Sequence, residues 1–521
     1  PAKGADLARL EEQLLIYQAF SKPSDKLFVS YALADASGAQ TRPSSLIVQL
    51  SELFPNLPVR PDLVQDNREA DRFRAHIPGA LYVTSALQRY VSGEDNDISI
   101  PVQQAYDFLL RHAPKTAQAV REGLYFSNSE APLAPETVHA LYPYDSMHGH
   151  FSFSPTRLET FARCPFLHFV SYGLMPAKRQ PFELGGKEIG DVYHECLMHI
   201  TQDLLSETKK MGLSVTHPNS PWMTITRHEC DTRVQKTLDG LRPELFEGLL
   251  DAGKAQTYRA DRLSSVAKAF VWHVIGHIRK GRIEKIMTEV GFGRGRALPP
   301  LVIPLGKDRV LIEGKIDRID ILQAQEDSQD EIHADTNTAH IKIIDYKSGQ
   351  ADFSKDLITR GLHLQLMVYL ESGLQAAESA RPAGVFYCYI EDPRTHISPG
   401  QFADGTLTSD IVRALEERYR MEGLFVDDPD IVESIDGSLG DGDRSTVIPV
   451  RKKEQAYVSA RAVSSEDFDL FRQQFKETLS EICNRVASGD ARVDPQKLGR
   501  DRTACTFCEY GSICLYDMTK G

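Results

Sequence analysis

Apolar and polar residues alternate most plainly along Ile341–Gly349, IKIIDYKSG. A strand sends successive side chains to opposite faces. Ile341, Ile343, Asp345 and Lys347 therefore share one face, with a carboxylate and an ammonium side by side at its C-terminal end. Val310–Leu322 (VLIEGKIDRIDIL) has the same period, with Val310, Ile312 and Ile316 on one face and Glu313, Lys315 and Asp317 on the other. The polar run Gln323–His340 joins the two, which predicts a hairpin with a long loop and brings Asp317 beside Asp345. Residues 383–391 (AGVFYCYIE) predict a further buried strand.

Elsewhere the period is helical. Gly190–Ile200 has Val192, Tyr193, Cys196, Leu197 and Ile200 at helical spacing, with His194 off that stripe. Gly361–Leu370 repeats Leu362, Leu366 and Leu370 every fourth residue, and Gln365 and Tyr369, also four apart, share another face. Ser154 followed by Pro155 is a strong helix start, and that helix ends near Cys164-Pro165. Residues 196–290 read as long amphipathic helices, an insertion that braces or covers. Ser464–Ala487 predicts a helix burying Phe468, Leu470, Phe471, Phe475 and Leu479. Nearer the start, Leu7–Phe20 is helical and Lys26–Leu33 reads as a strand. Gln103–Arg111 and Ala117–Glu122 read as short helices, Ala131–His150 as a linker, and Asp427–Ser445 as an acidic surface loop.

A chain of 521 residues is long enough for two or three domains. No run approaches the ~18 apolar residues of a membrane span, and no leader pattern opens the chain. It starts on Pro1 rather than Met, as a piece of a longer polypeptide would. The net charge of −13 excludes a protein that is basic all over. It leaves room for a locally basic cleft, to which bound divalent cations would add charge. Arg279–Lys285, Arg294–Arg296 and Arg451–Lys453 are the candidate basic patches.

The chemistry concentrates at the strand ends. Asp-x-Lys offers an oxygen ligand for a hard cation such as Mg²⁺, with a lysine beside it to steady developing phosphate charge. Other motifs fail on spacing. No GxxxxGK[ST] phosphate loop occurs, and His194-Glu195 lacks the second histidine of HExxH, since position 198 is Met198. Of eight cysteines, Cys196, Cys230, Cys388 and Cys483 sit in apolar patterns and read as small buried hydrophobes. Cys505, Cys508 and Cys514 are three thiols close to the C-terminus, and Cys164 is the natural fourth ligand. Spacing alone allows a Cys₄ zinc site or an iron–sulfur cluster.

In chain order, His194, Asp317, Asp345-x-Lys347 and Gln365-x-x-x-Tyr369 resemble the RecB-type nucleases of the PD-(D/E)xK superfamily. The resemblance implies an α/β, restriction-endonuclease-like core, a mixed sheet flanked by helices with helical insertions. It implies His194, Asp317 and Asp345 as ligands of Mg²⁺ or Mn²⁺, with the carbonyl of Tyr346 as an added ligand. Lys347 would be the catalytic lysine, and Gln365 and Tyr369 would support the site or the DNA. One distant cysteine in a CPF sequence plus a C-terminal trio looks like the [4Fe–4S] staple of AddB-type nucleases, held by Cys164, Cys505, Cys508 and Cys514. Glu11–Tyr31 resembles the last motor motif and following strand of superfamily-one helicases. Lys22 stands where the motor arginine belongs, so this module alone is expected not to hydrolyse ATP.

The order of parts resembles the AddB family of bacterial helicase–nuclease subunits. Residues 1–145 would be a degenerate helicase-like tail plus linker, and 146–521 the nuclease closed by its cysteine cluster. The implied function is metal-dependent DNA cleavage, exonucleolytic on one strand of a DNA end, in double-strand break repair by homologous recombination. The implied setting is cytoplasmic and nucleoid-associated, with an AddA-like helicase–nuclease subunit as heterodimer partner. The alternatives are a catalytically silent DNA-binding scaffold for a partner helicase, and a related iron–sulfur nuclease of CRISPR adaptation or replication.

Overall fold

The computed structural model describes residues 5–33, 41–57, 72–91, 93–124, 132–176, 186–246, 254–322, 339–349, 353–390, 402–403, 406–407, 409–454, 456–498, 503–514 and 516. The chain divides into two compact units, Pro1–Phe126 and Ser127–Gly521. In the first, the helices His76–Val91, Ile100–His112 and Pro114–Leu124 enclose a small core of Val83, Val102, Leu109 and Val120. A further helix spans Ala5–Ser21. Lys26–Leu33 is not a strand, because a strand must pair its backbone and none of the described residues offers it a ladder.

In the second unit, Ala131–His150 is no linker. It carries the helix Pro135–Leu141, with Val138 in the core, and strand β1 (Tyr144–Asp145), which pairs with β2 (His150–Phe153). Ser154 then caps the Pro155–Arg163 helix by accepting from the Arg157 amide, 3.3 Å away, and Cys164 ends it. The long helices Gly186–Lys210, Arg227–Phe246 and Lys254–Lys280 follow, burying Cys196 and Cys230. The helical reading of 196–290 fails at its end, because Ile283–Phe292 is strand β3.

Val310–Leu322 is two strands rather than one. β5 (Asp308–Ile312) joins β1, β2 and β4 (Leu301–Leu305) in a four-stranded sheet. β6 (Gly314–Leu322) crosses into the main sheet. Gly314 makes the break possible, since a Cβ there would meet the Phe292 ring at 2.8 Å. The six-stranded main sheet runs in the order Ala462–Val463, Glu422–Val426, β8 (Arg381–Tyr389), β7 (His340–Lys347), β6, β3. β6 pairs antiparallel with both β3 and β7, as the hairpin reading expects, while β7 and β8 are parallel. Parallel neighbours need a crossover, and the helices Lys355–Thr359 and Gln365–Gly373 supply it. The second of these starts at Gln365 rather than Gly361.

Both faces of the central strands are covered, so Ile316, Ile319, Ile341, Ile343 and Ile344 are buried on one side or the other. The Ser465–Ala487 helix buries Phe468, Phe471, Phe475 and Leu479 as expected, but Leu470 is exposed. The acidic stretch Asp427–Ser445 is not a surface loop throughout, since Pro429–Ile435 is a helix capped by Asp428 and buries Ile431, Val432 and Ile435. Residues 323–338 of the β6–β7 connection lie outside the described residues.

Candidate active site

Three strands and three helices build the site. β6 and β7 pair with Arg318 opposite Ile344, so Asp317 and Asp345 fall beside each other at the same end of the hairpin. The Tyr346 amide donates to Asp317 Oδ2 at 2.9 Å, which fixes that carboxylate against β7. His194 arrives from the Gly186–Lys210 helix. One turn earlier, Gly190 lets that helix approach the end of β7, where a Cβ would meet the Ser348 hydroxyl at 2.8 Å. His194 Nε2 lies 3.0 Å from the Tyr346 carbonyl, and a carbonyl can only accept, so Nε2 carries the proton. Nδ1 faces the other way and lies 3.6 Å from Asp317 Oδ2.

Lys347 is held from two sides. Its ammonium lies 2.7 Å from Asp345 Oδ2 and donates to Gln365 Oε1 at 2.6 Å. Gln365 in turn donates to the Tyr369 hydroxyl at 2.7 Å. The four-residue spacing in the sequence thus sets Tyr369 against Gln365, which reaches the lysine. All seven expected site residues are brought into one connected group.

Burial sets the electrostatics. It pushes Asp345 up to about 7, with the Asp317 charge adding to the rise and Lys347 opposing it. It pushes Asp317 up to about 6, against the hydrogen bond from the Tyr346 amide. Two carboxylates so destabilised as anions are a donor pair that a cation would relieve.

Three residues of the site do not stand out in the sequence. Glu289 on β3 brings a carboxylate oxygen to a common locus with His194 and Asp317, all three ligand atoms within 4.8 Å of one another. A helical reading of β3 hides it, although the β-branched and aromatic residues of Ile283–Phe292 are a signal for a strand. Glu159, on the Ser154-capped helix, accepts from the Gln365 amide at 3.0 Å, and burial pushes its carboxyl up to about 7. The Tyr387 ring lies 5.6 Å from the Lys347 ammonium.

The opposite face of the same hairpin is polar too. Arg318 donates to Asp320 at 2.6 and 2.8 Å, Lys342 lies 2.8 Å from Asp320 Oδ2, and all three are buried. Because Asp320 and Lys342 are partners in the β6–β7 register, this network fastens the strands that carry Asp317 and Asp345.

The cysteines also converge. Cys164 is buried, and burial raises its thiol, with the charge of Cys505 adding to the effect. Cys505 is raised by burial and by Cys508 and Cys514. The backbone amides of Leu167, Asp494 and Phe166 point at the Cys164 sulfur and favour its thiolate. The C-terminal segment is tied to the same helix end, as the Gln496 amide donates to the Arg163 carbonyl at 2.9 Å and the Phe166 amide to the Arg492 carbonyl at 3.0 Å. Cys196, Cys230, Cys388 and Cys483 are buried.

Residues 152–515 match the family model of the PD-(D/E)XK nuclease superfamily. The chain belongs to that superfamily. Its curated relatives include proteins named as the B-type subunit of an ATP-dependent helicase/deoxyribonuclease. Those of Alkaliphilus metalliredigens and Clostridioides difficile are each 30% identical over 98% of this chain, and that of Alkaliphilus oremlandii is 31% identical over 98%. The chain spans 42–43% of the length of these relatives. No helix among the described residues is long and apolar enough to cross a membrane.

Proposed function

We propose that this chain is the nuclease-bearing part of an AddB-type subunit and hydrolyses DNA phosphodiesters with a divalent cation. The reading is carried by the convergence of Asp317, Asp345, the His194 imidazole and Lys347 at one end of a hairpin. Two carboxylates held above their ordinary range by burial fit a cation, and an oxygen-rich set with one imidazole suits Mg²⁺ or Mn²⁺. Asp317, Asp345, His194 and the Tyr346 carbonyl would hold it, and when bound it supplies Lewis-acid charge at the scissile phosphate and a water that is nucleophilic at neutral pH.

The protein's own groups do the rest. Lys347 presents an ammonium whose position is set by Gln365 and Asp345, ready to steady charge that builds on the phosphate. Tyr369 keeps Gln365 turned toward that lysine. The amide of Tyr346 holds the Asp317 carboxylate in place, so little reorganisation is needed when substrate arrives. A scaffold that only gripped DNA would gain nothing from two buried carboxylates whose charged forms are disfavoured.

The four converging cysteines fit a thiolate-bound group, and the resemblance favours a [4Fe–4S] cluster held by Cys164, Cys505, Cys508 and Cys514. When bound, it supplies a tie between the start and the end of the nuclease domain. The relatives' names include a helicase. The reading therefore carries a partner, an AddA-like motor subunit that feeds DNA ends to this site during double-strand break repair in the cytoplasm. End-labelled linear DNA incubated with the purified chain should be shortened with Mg²⁺ or Mn²⁺ and remain intact with EDTA. Intact DNA under both conditions, with and without the motor subunit, contradicts the reading.

A further inference from the structure

Glu159 differs from the carboxylates of the strand ends, because what it holds is backbone. The helix Gln365–Gly373 begins without a cap of its own, since Leu364 precedes it in right-handed helical conformation and has no side-chain oxygen. The first amides of a helix find no partner within it. Here the Gln365 amide donates to Glu159 Oε1 at 3.0 Å, and the Leu364 amide also favours the Glu159 carboxylate. Leu364 is fully buried, so water does not stand in for that carboxylate.

The support behind Glu159 is firm. Its helix, Pro155–Arg163, is capped by Ser154 and buries Arg157, Leu158 and Phe161. The same helix meets the chain ahead of Gln365 at a second point. Gly361 turns with φ +80°, and a Cβ there would meet the Ala162 Cβ at 2.9 Å. Glycine alone adopts that backbone freely and leaves room for so close an approach. Glu159 and Ala162 are three residues apart on one helix face, so the approach to Gln365 is held at two points by one rigid element.

What that placement governs is Lys347. Its ammonium lies 2.7 Å from Asp345 Oδ2 and donates to Gln365 Oε1 at 2.6 Å. Asp345 also belongs to the proposed cation ligands, so Gln365 is the partner of Lys347 that a bound cation leaves in place. Gln365 opens its helix, and helix ends fray unless they are held. The Tyr369 hydroxyl fixes the end of its side chain, and Glu159 fixes its backbone.

We infer that Glu159 is a positioning residue for Lys347: from a neighbouring helix it supplies the cap that Gln365–Gly373 lacks, and so sets where Gln365 presents its oxygen to the ammonium. The inference rests on the nuclease reading and adds to it the group that keeps its lysine in place.

The test is steady-state cleavage of end-labelled linear DNA by the full chain in Mg²⁺, with Mn²⁺ binding and the unfolding midpoint measured on the same preparations. Glu159→Ala should lower kcat roughly 10–100-fold, as a displacement of about 1 Å at a reacting centre does. KM and Mn²⁺ affinity should stay as in wild type. Glu159→Gln keeps an oxygen for the two amides and should stay within about 5-fold of wild type, a neutral acceptor being roughly half as strong as a charged one. Glu159→Asp keeps the charge but withdraws the oxygen by one methylene, and should be slower than Glu159→Gln. Neither a folding defect nor a pure charge effect gives that order. Because Glu159 acts through Gln365, adding Glu159→Ala to Gln365→Ala should cost little beyond Gln365→Ala alone. Ser154→Ala removes the cap of the supporting helix and should lower the midpoint while kcat holds. Unchanged kcat in Glu159→Ala, independent losses in the double variant, or Glu159→Gln as slow as Glu159→Ala overturns the inference. So does a loss in Ser154→Ala that matches Glu159→Ala, which would assign the effect to the fold. In each of these cases a wild type that cleaves leaves the nuclease reading standing. Absence of cleavage by every form, wild type included, removes both.

Discussion

The two faces of the β6–β7 hairpin bury carboxylates to the same depth and treat them in opposite ways. Asp345 on the front and Asp320 on the back are 1% and 0% exposed. Burial favours the neutral acid at both. At Asp320, Arg318 and Lys342 outweigh it and hold the carboxyl below its ordinary range. At Asp345, the nearby charge of Asp317 adds to burial, Lys347 compensates only in part, and the carboxyl is pushed up to about 7. The back face has more cation than it needs, and His277 beside it is held neutral by burial and by its cationic neighbours. Depth alone therefore does not mark an active site. What marks it is counter-charge left incomplete, and on this hairpin the front face is incomplete while the back face is closed.

The contrast predicts unequal costs. Asp320→Ala leaves two buried cations without their anion and should destabilise the fold by about 3–5 kcal/mol, the usual cost of breaking a buried ion network from one side. Denaturant unfolding of the full chain checks this, and a cost under about 1 kcal/mol would show that the back face is not the fastening of the hairpin.

Next in size is the cysteine tie. As proposed, it would act on the front face through the helix that ends at Cys164 and holds the Gln365 amide by Glu159. Closing the long loop from Cys164 to Cys505 is worth at most about 5–6 kcal/mol by chain entropy, and thiolate formation subtracts from that. Cys164→Ala should therefore cost about 2–3 kcal/mol and expose the C-terminal segment to protease. Cys483→Ala, a change at a buried thiol outside the tie, should cost only ordinary core packing. Equal costs and equal protease patterns would remove the tie.

The smallest effect has the opposite sign. Asp345→Asn removes a carboxylate whose charged form burial disfavours. In metal-free protein at pH 8 it should therefore stabilise by on the order of 2 kcal/mol, since a tenfold change in proton affinity is worth about 1.4 kcal/mol. Asp317 and Asp345 have folded-state values above the ordinary carboxylate range. Between about pH 4 and 7 the folded chain thus keeps protons the unfolded chain has lost, and metal-free stability should fall as pH climbs through that window. Added Mn²⁺ should reverse the fall in wild type and not in Asp345→Asn. A variant less stable than wild type at pH 8 without metal would mean that Lys347 already satisfies the front face.

How much of this was legible follows the same physics. The period-two pattern of Ile341–Lys347 and the helical spacing of Gln365 and Tyr369 depend on local geometry alone, and both predicted positions hold in the structure. The break at Gly314, where one apolar run becomes strands of two sheets, is decided by the Phe292 ring from another strand, which no local pattern contains. Glu289 is hidden for a related reason, since its strand is amphipathic only against β6. Asp320 and Lys342 carry no mark in the strand patterns, and only the covered back face makes them buried.

The central claim is that the front face is a cutting site and Lys347 its catalytic cation. The most direct test compares wild type with Lys347→Ala on end-labelled linear DNA in Mg²⁺, while Mn²⁺ binding and the unfolding midpoint are followed in the same preparations. The account predicts cleavage lower by roughly 10²–10³-fold, the loss typical of one preorganised charge-stabilising group, with Mn²⁺ binding retained and the midpoint nearly unchanged. Wild-type cleavage by Lys347→Ala, or a loss that only tracks lost metal or lost fold, would contradict it.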